Sequence, residues 1–233
     1  MSTPAATQSH FAIAMDGPAA SGKSTLAREL AKHLGLVMVN SGEMYRAITW
    51  KTLDAGIDPT DTPTVVALLD TLNLECGHDG MFSTFLVNGE APGERLRTPE
   101  VNANVSTVAA IPQVRETLIA LQRGYLDHCD VVMEGRDIGS VVFPDTPYKL
   151  YIDAAEEVRA ARRKDAGEQD SIAKRDAADS RRKTSPLIVA AGATVLDNSH
   201  HTIESGLAAV LEILHHQGLP LLTNHTTSNT PTP

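Results

Sequence analysis

Residues Gly17 to Ser24 read GPAASGKS and fit the pattern GxxxxGK[ST] at every position. In this pattern glycine lets the backbone approach a ligand closely, the lysine reaches the outer phosphates of a nucleotide, and the hydroxyl can bind Mg²⁺. Such strings also occur by chance, as a glycine turn before an ordinary helix. The pattern predicts a phosphate-binding loop made of Gly17, Pro18, Ala19, Ala20, Ser21, Gly22, Lys23, Ser24 and Thr25.

The segments on both sides of this loop supply the context that the pattern requires. The apolar run at 11–15 predicts a buried strand, and apolar residues recur at helical spacing from Leu26 to Leu34. A strand that passes through a glycine loop into a helix leaves backbone N–H groups unpaired beside the positive end of the helix dipole. This context favours phosphate binding over a plain turn.

Composition and charge limit the classes of function. The chain has 233 residues, 42% of them hydrophobic, which is typical of a globular protein. Its net charge of −9 gives no support for binding nucleic acid or an acidic membrane surface. Two cysteines, with neither a signal sequence nor an apolar run of membrane length, predict a cytoplasmic protein. No extended apolar surface is evident, which favours a monomer.

Strands alternate with helices along most of the chain. Helical patterns lie between or after four further apolar runs, at 36–39, 131–133, 148–152 and 193–196. This alternation predicts a three-layer α/β fold with a five-stranded parallel sheet. Ligands gather at the carboxyl ends of such strands, where the sequence places Asn40-Ser41 and Glu134 to Asp137.

The segment 62–109 differs in pattern from the segments around it. A helical pattern at 65–72 precedes two strand-like runs, 74–76 and 82–87, and Asn88-Gly89 then gives a strong hairpin signal. The pattern predicts a small β-containing insertion in the α/β core.

Nine of the chain's 20 basic residues lie between Arg159 and Lys183. The first four of them are Arg159, Arg162, Arg163 and Lys164. For these four, a solvated helix face and a functional role are equally open, since charges along a helix are usually exposed. The functional alternative is a mobile lid that closes over a nucleotide and excludes water. The predicted organisation is a core at 11–61 and 110–221 with a lid at about 159–186, an insertion at 62–109, and disordered tails at 1–10 and 222–233.

Arginines indicate the class of reaction. Phosphate loops occur in switch GTPases, motor ATPases and small-molecule kinases, but the chain lacks the NKxD and LSGGQ signatures and is short for a motor. Phosphoryl transfer needs two phosphates held in line and their charge spread over cations. Guanidinium groups suit phosphate oxygens through bidentate geometry. The candidates are Arg46 and Arg136 at strand ends, and Arg175 and Arg182 in the basic region.

Four strings in this chain resemble bacterial cytidylate kinase, a nucleoside monophosphate kinase with a phosphate loop. They are NSGEMYRA at 40–47, VRE at 114–116, EGRDIGSVVFPDT at 134–146 and RDAADSRRKTSPL at 175–187. With the phosphate loop, the resemblance covers about 12–197. It implies a P-loop NTPase core with a nucleotide-monophosphate insertion and a lid. It also implies transfer of the γ-phosphoryl group of ATP to CMP or dCMP with Mg²⁺.

The resemblance implies a set of acceptor-binding residues. Arg46 and Arg136, aided by Ser41, correspond to residues that hold the CMP phosphate. Ser106, Arg115 and Asp137 correspond to residues that read cytosine. Cytosine has an N4 donor and N3 and O2 acceptors, so a carboxylate with an arginine favours it over uracil.

The remaining implied roles concern the ribose, the reaction and the metal. Arg175 and Asp179 correspond to ribose contacts, and Arg182 corresponds to a lid arginine that reaches the transferring phosphates. The implied catalytic set is Lys23, Arg136, Asp137 and Arg182. Mg²⁺ is assigned to Ser24, with Glu134 as a residue for a Mg²⁺-bound water.

Two alternatives stay open at the level of sequence. One is a phosphate-loop kinase whose acceptor is another nucleotide or a small metabolite. The other is a nucleotide-binding module with little turnover, suggested by Asn40, where the family usually has aspartate, and by a short arm between Arg163 and Arg175.

Overall fold

A seven-stranded sheet forms the centre of the computed structural model, which describes residues 10–165 and 187–220. In chain order the strands are β1 (Ala12–Asp16), β2 (Val37–Asn40), β3 (Leu74–Asp79), β4 (Phe82–Val87), β5 (Val131–Gly135), β6 (Lys149–Asp153) and β7 (Thr194–Asp197). Their order across the sheet is β3-β4-β2-β5-β1-β6-β7. All neighbours are parallel except the β3–β4 hairpin.

Helices cover both faces of this sheet. They are α1 (Lys23–Leu34), α2 (Ser41–Asp54), α3 (Thr62–Leu69), α4 (Pro99–Val108), α5 (Pro112–Arg123), α6 (Glu156–Asp165) and α7 (Ile203–His216). Ile13 and Met15 of β1 share a core with α1 and α7, whereas Ala12 and Ala14 share one with Tyr125 on the other face. The alternation of side chains along β1 therefore fills two cores, and the α/β fold with a mainly parallel sheet is confirmed.

The sheet has seven strands, and the predicted number of five was wrong. The five predicted parallel strands are β2, β5, β1, β6 and β7. The hairpin assigned to the insertion extends this same sheet, because the Met38 backbone N–H donates to the Met81 carbonyl at 2.8 Å. An edge strand presents unpaired N–H and C=O groups, and the hairpin satisfies those of β2.

The rest of the predicted insertion packs on α2. Met44 and Ile48 of α2 share a core with Val105 and Val108 of α4 and with Leu118 of α5. Helix α4 begins at Pro99, and the hydroxyl of Thr98 caps it by accepting from the Val101 N–H at 3.3 Å. The α2–α4 contact fixes the insertion beside the carboxyl end of β2.

Some predicted segments lie wholly or partly outside the described residues. Helix α6 covers the start of the predicted lid, and 166–186 lie outside. The tails at 1–10 and 222–233 also lie outside, apart from His10. Among the residues that the structure describes, no helix is both long and apolar enough to cross a membrane.

Candidate active site

The loop after β1 has a backbone that demands glycine at two positions. Gly17 has φ +151° and Gly22, just before α1, has φ +90°. A Cβ at Gly17 would overlap the carbonyl oxygen of Ile152 in β6. The loop is thus pressed against the neighbouring strand, and it leads directly to the N-terminus of α1, where backbone N–H groups face outward.

Lys23 and Ser24 converge on Glu134 at the end of β5. The buried Lys23 Nζ donates to the Pro18 carbonyl at 3.1 Å and lies 3.8 Å from Glu134 Oε2. Ser24 Oγ donates to Glu134 Oε1 at 2.6 Å, and Ser41 Oγ donates to the Glu134 carbonyl at 2.8 Å. Glu134 therefore links the loop to the end of β2, as the parallel order of these strands requires.

One cleft of about 340 Å³ brings most of the predicted site residues together. The members of the predicted set that line it are Ala19, Ala20, Lys23, Ser24, Thr25, Ser41, Arg46, Ser106, Arg115, Glu134, Arg136 and Asp137. A second cavity of about 430 Å³ adjoins it at Lys23, Ser24 and Thr25 and extends to Asn198 and His201. Residues 23–25 therefore line both cavities, which is the position expected where two bound ligands meet.

Two arginines in the cleft are held by backbone carbonyls. Arg46 of α2 donates from Nη1 to the Leu96 carbonyl at 2.8 Å and to Asn102 Oδ1 at 2.6 Å. Arg136, which follows β5, donates from Nη1 to the Gly17 carbonyl at 2.9 Å. This hydrogen bond connects Arg136, at the end of β5, to the first residue of the phosphate loop.

A buried ion pair forms one wall of the cleft. Arg115 Nη2 donates to Asp137 Oδ2, and Arg115 Nη1 donates to the Ala109 carbonyl at 3.2 Å. The Arg115 guanidinium lies 5.3 Å from the centre of the Tyr45 ring. Both partners are buried, and Arg115 Nε has no hydrogen-bond partner among the described residues. Ser106 lies beside this pair in the same cleft. A buried donor of this kind suits a ligand acceptor.

Asp16 is a site residue that the sequence interpretation missed. It ends β1, and its carboxylate accepts from the backbone N–H groups of Ile138 and Gly139, each at 2.8 Å. Burial raises the pKa of Asp16 to about 6, although these two N–H groups lower it. Asp16 therefore holds the turn that follows Asp137. Its position directly before Gly17, at a strand end, was the available signal.

Glu43 also enters the cleft, and Asn40 contacts it. Asn40 Nδ2 donates to Glu43 Oε1 at 3.3 Å. Burial raises the pKa of Glu43, Arg97 lowers it, and the nearby Glu134 raises it. The carboxylate at this edge of the cleft is therefore on the first turn of α2, next to the asparagine that ends β2.

Three basic residues of α6 contact or approach the phosphate loop, which favours the functional explanation for them. Arg162 donates to the Ser21 carbonyl at 3.0 Å and to the Asn198 carbonyl at 2.8 Å. Arg159 donates to the Ala19 carbonyl at 3.3 Å, and Arg163 is buried in the cleft. Lys164 is exposed and matches the solvated explanation.

Three predicted residues cannot be placed. Arg175, Asp179 and Arg182 lie outside the described residues.

Comparison with known proteins gives a consistent result. The family model described as cytidylate kinase matches residues 13–216. A cytidylate kinase of Clostridium botulinum (strain Langeland) is 38% identical over 216 residues, covering 88% of this chain and 98% of that protein. A cytidylate kinase of Pelotomaculum thermopropionicum is 40% identical, covering 82% and 90%, and one of Streptomyces avermitilis is 38% identical, covering 87% and 91%. The chain therefore belongs to the cytidylate kinase family, which confirms the resemblance of its motifs.

Proposed function

We infer that this protein transfers the γ-phosphoryl group of ATP to CMP or dCMP, giving CDP or dCDP. The observation that carries this conclusion is the single cleft shared by Lys23 of the phosphate loop and by Arg46 and Arg136. A kinase needs its donor and acceptor phosphates side by side, and membership of the family supplies the substrate class. The same features support a P-loop NTPase core.

The chemical step asks little covalent work of the protein. An oxygen of the CMP phosphate attacks the γ-phosphorus of ATP, and the bond from that phosphorus to the β–γ bridging oxygen breaks as ADP leaves. A phosphate monoester is already largely ionised near pH 7, so no side chain has to remove a proton. Catalysis then depends on alignment and on neutralising charge.

Lys23 and Arg136 are placed to offset that charge. Lys23 lies at the start of α1, where it reaches the outer phosphates of a nucleotide bound by the loop. Arg136 contacts the Gly17 carbonyl and lines the same cleft, which supports a position for it between the two phosphates. Arg46 and Ser41 hold the acceptor phosphate. The roles of Arg182 at the transferring phosphates and of Arg175 and Asp179 at the ribose remain predictions.

Ser24 and Glu134 fit Mg²⁺. A hydroxyl and a carboxylate 2.6 Å apart beside a phosphate loop are the hard oxygen donors that Mg²⁺ prefers, directly or through water. When bound, the ion offsets the charge of the phosphate oxygens of ATP.

Cytosine recognition follows from the Arg115–Asp137 pair. The N4 amino group of cytosine donates to Asp137 or Ser106, and N3 and O2 accept from Arg115, whose buried Nε has no acceptor among the described residues. Uracil presents O4 and N3–H in the corresponding positions and would face like partial charges. The ion pair keeps the Arg115 and Asp137 side chains oriented before the base binds.

Acceptor specificity tests the proposal. Initial rates with ATP are measured against CMP, dCMP, UMP, AMP and GMP in a coupled ADP assay. We expect CMP and dCMP to have the highest kcat/KM. A kcat/KM for CMP no better than for UMP, AMP or GMP would refute the proposal, and ATP binding without transfer would indicate a module with little turnover.

The variant Asp137→Asn tests cytosine reading. Replacing the carboxylate with an amide keeps its shape but places a donor toward N4. We expect the preference for CMP over UMP to fall about 10-fold or more. Asp145→Asn is the matched control, because Asp145 is exposed and lies outside the cleft lining. An unchanged preference in Asp137→Asn would point to another acceptor.

A further inference from the structure

The Arg46 side chain bonds two residues of the predicted insertion. Its Nη1 donates to the Leu96 carbonyl at 2.8 Å, in the 3-10 turn Gly93–Arg97, and to Asn102 Oδ1 at 2.6 Å, on α4. Arg46 itself is on α2, which begins directly at the end of β2. One guanidinium nitrogen therefore spans the junction between the core and the insertion.

The amide of Asn102 can take only one orientation here. Its Nδ2 donates to the Arg97 carbonyl at 3.2 Å, while its Oδ1 accepts from Arg46. A carbonyl only accepts and a guanidinium only donates, so exchanging the amide N and O would break both contacts. The Arg97 carbonyl thus fixes the direction in which Asn102 presents its acceptor.

These two acceptors set the direction of the guanidinium. Nη1 carries two protons, and Leu96 and Asn102 provide an acceptor for each. The plane and direction of the Arg46 guanidinium in the cleft therefore depend on Leu96 and Asn102.

Another contact joins the same two regions, but it is weaker. Arg97 Nη2 lies 3.5 Å from Glu43 Oε1, and the Arg97 side chain is 71% exposed. An exposed ion pair of this kind contributes little, because water screens it and ordering two long side chains costs entropy. The contacts to Arg46 are partly buried and charge-assisted, so each is stronger than this exposed ion pair.

We propose that Asn102 is a positioning residue for the acceptor phosphate, acting through Arg46 and thereby making phosphate affinity depend on the placement of the insertion. This rests on the proposed function, since it assumes that Arg46 binds the phosphate of CMP. Asn102 is not among the residues that line the cleft. Its effect is therefore confined to the phosphate of the acceptor.

The variant Asn102→Ala tests this with CMP and with cytidine, which lacks the phosphate. The dissociation constant of CMP is measured by calorimetry, the inhibition constant of cytidine by competition, and KM for ATP by initial rates. We expect CMP to bind about 5- to 10-fold more weakly, with cytidine inhibition and KM for ATP unchanged. Asn104→Ala is the matched control, because among the described residues the Asn104 amide bonds only the Glu100 carbonyl of its own helix, at 2.9 Å. We expect Asn104→Ala to bind CMP as the unmodified chain does.

A double-mutant cycle with Arg46→Ala tests whether Asn102 acts on CMP binding through Arg46. Asn102→Ala should weaken CMP binding further by less than about 2-fold when Arg46 is already absent. Asn102→Asp gives a second test, because a carboxylate offsets the charge of Arg46 and should also weaken CMP binding but not cytidine inhibition.

Three results would overturn the inference. They are unchanged CMP affinity in Asn102→Ala, equal losses for CMP and cytidine, and a full effect of Asn102→Ala in the Arg46→Ala background. A failure of the proposed function looks different, because the unmodified chain itself would then show no preference for CMP over UMP, AMP and GMP, and this inference would fail with it.

Discussion

The two sides of the cleft that we propose for the donor and the acceptor are built from different parts of the chain. The donor side is main chain, a loop whose Gly17 and Gly22 have positive φ and whose Ser21 carbonyl is held by Arg162 and Asn198. The acceptor side is made of side chains, chiefly arginines whose donors contact protein oxygens. The loop takes its shape largely from its own glycines, with support from Arg162 and Asn198, whereas each side chain on the acceptor side depends on distant elements that orient it.

This difference predicts how each side fails. Substitutions on the acceptor side remove binding groups directly and can also leave buried partners unsatisfied. Most donor-side groups are backbone N–H groups that side-chain replacements other than proline leave in place, so replacement mainly tests Lys23, Ser24 and the residues supporting the loop. The variants below test this contrast, from the largest expected effect to the smallest.

Arg115→Met should cause the largest loss of stability. It leaves the buried Asp137 carboxylate without its cationic partner, and breaking such a pair costs about 3–5 kcal/mol. Arg136→Met should cost less than about 1 kcal/mol, because Arg136 is half-buried at the cleft and its carbonyl partner can bond water instead. Urea unfolding measures both. Equal losses of unfolding free energy in the two variants would show that the buried Asp137 carboxylate does not depend on Arg115 as its partner.

A paired substitution separates charge from packing at this wall. Arg115→Met combined with Asp137→Asn removes both charges, so it should be more stable than Arg115→Met alone. A double variant as unstable as the sum of the single variants would indicate that packing, not the unpaired carboxylate, causes the loss.

Lys23→Met should have the largest effect on the chemical step. It removes the one side-chain cation of the loop, and loss of a single group that stabilises developing charge lowers kcat about 10²- to 10³-fold. KM for CMP should change little, because Arg46 and Arg136 remain. Single-turnover phosphoryl transfer measures the effect. Lys32→Met is the control on the same helix, since Lys32 is exposed and its one ion pair within residues 10–165 and 187–220 is with Glu29 at 2.8 Å. Comparable rates in both variants would contradict the role of Lys23.

Asp16 connects the two sides, and its effect should depend on pH. Its pKa is about 6 in the folded protein against 3.8 as the ordinary value, so between these limits the folded protein keeps a proton that the unfolded chain has lost. The stabilisation from the neutral carboxyl is therefore present near about pH 4 and is lost as pH rises through about 6, by about 3 kcal/mol.

The comparison of the unmodified chain with Asp16→Asn isolates this contribution. The difference in unfolding free energy between them should shift by about 3 kcal/mol from about pH 4 to pH 7, in favour of Asp16→Asn at the higher pH. Asp127→Asn, at an exposed position, should show no such shift. A difference that does not vary with pH would mean that Asp16 titrates as an exposed carboxylate does.

The same contrast explains what could be predicted from sequence. The phosphate loop was predictable because its glycines, Lys23 and its flanking strand and helix form one continuous pattern. The number of strands could not be predicted from sequence. The hairpin joins β2 through the Met38–Met81 hydrogen bond, which depends on pairing between distant segments. Local periodicity indicates a hairpin but not where it docks.

The acceptor side shows the same limit at the level of residues. Family motifs indicated Arg46 and Arg115, yet no pattern indicated that Leu96 and Asn102 hold Arg46 or that the Ala109 carbonyl holds Arg115. These contacts arise where the insertion packs on α2. Their geometry therefore follows from tertiary packing, which a single sequence does not display.

Asn198→Ala should give the smallest effect and should be confined to the donor side. The buried Asn198 Nδ2 donates to the Ser21 carbonyl at 2.8 Å, so removing it leaves that carbonyl with less support, at a cost of about 1 kcal/mol. Because the loop is main chain fixed by Gly17 and Gly22, it should retain its shape, and KM for ATP should rise only about 2- to 5-fold. Initial-rate kinetics with ATP and CMP varied separately measure this, with His200→Ala as an exposed control in the same segment. A larger rise in KM for CMP than for ATP would show that the two sides are not independently supported, since a side chain that bonds the Ser21 carbonyl of the loop would then be setting acceptor affinity.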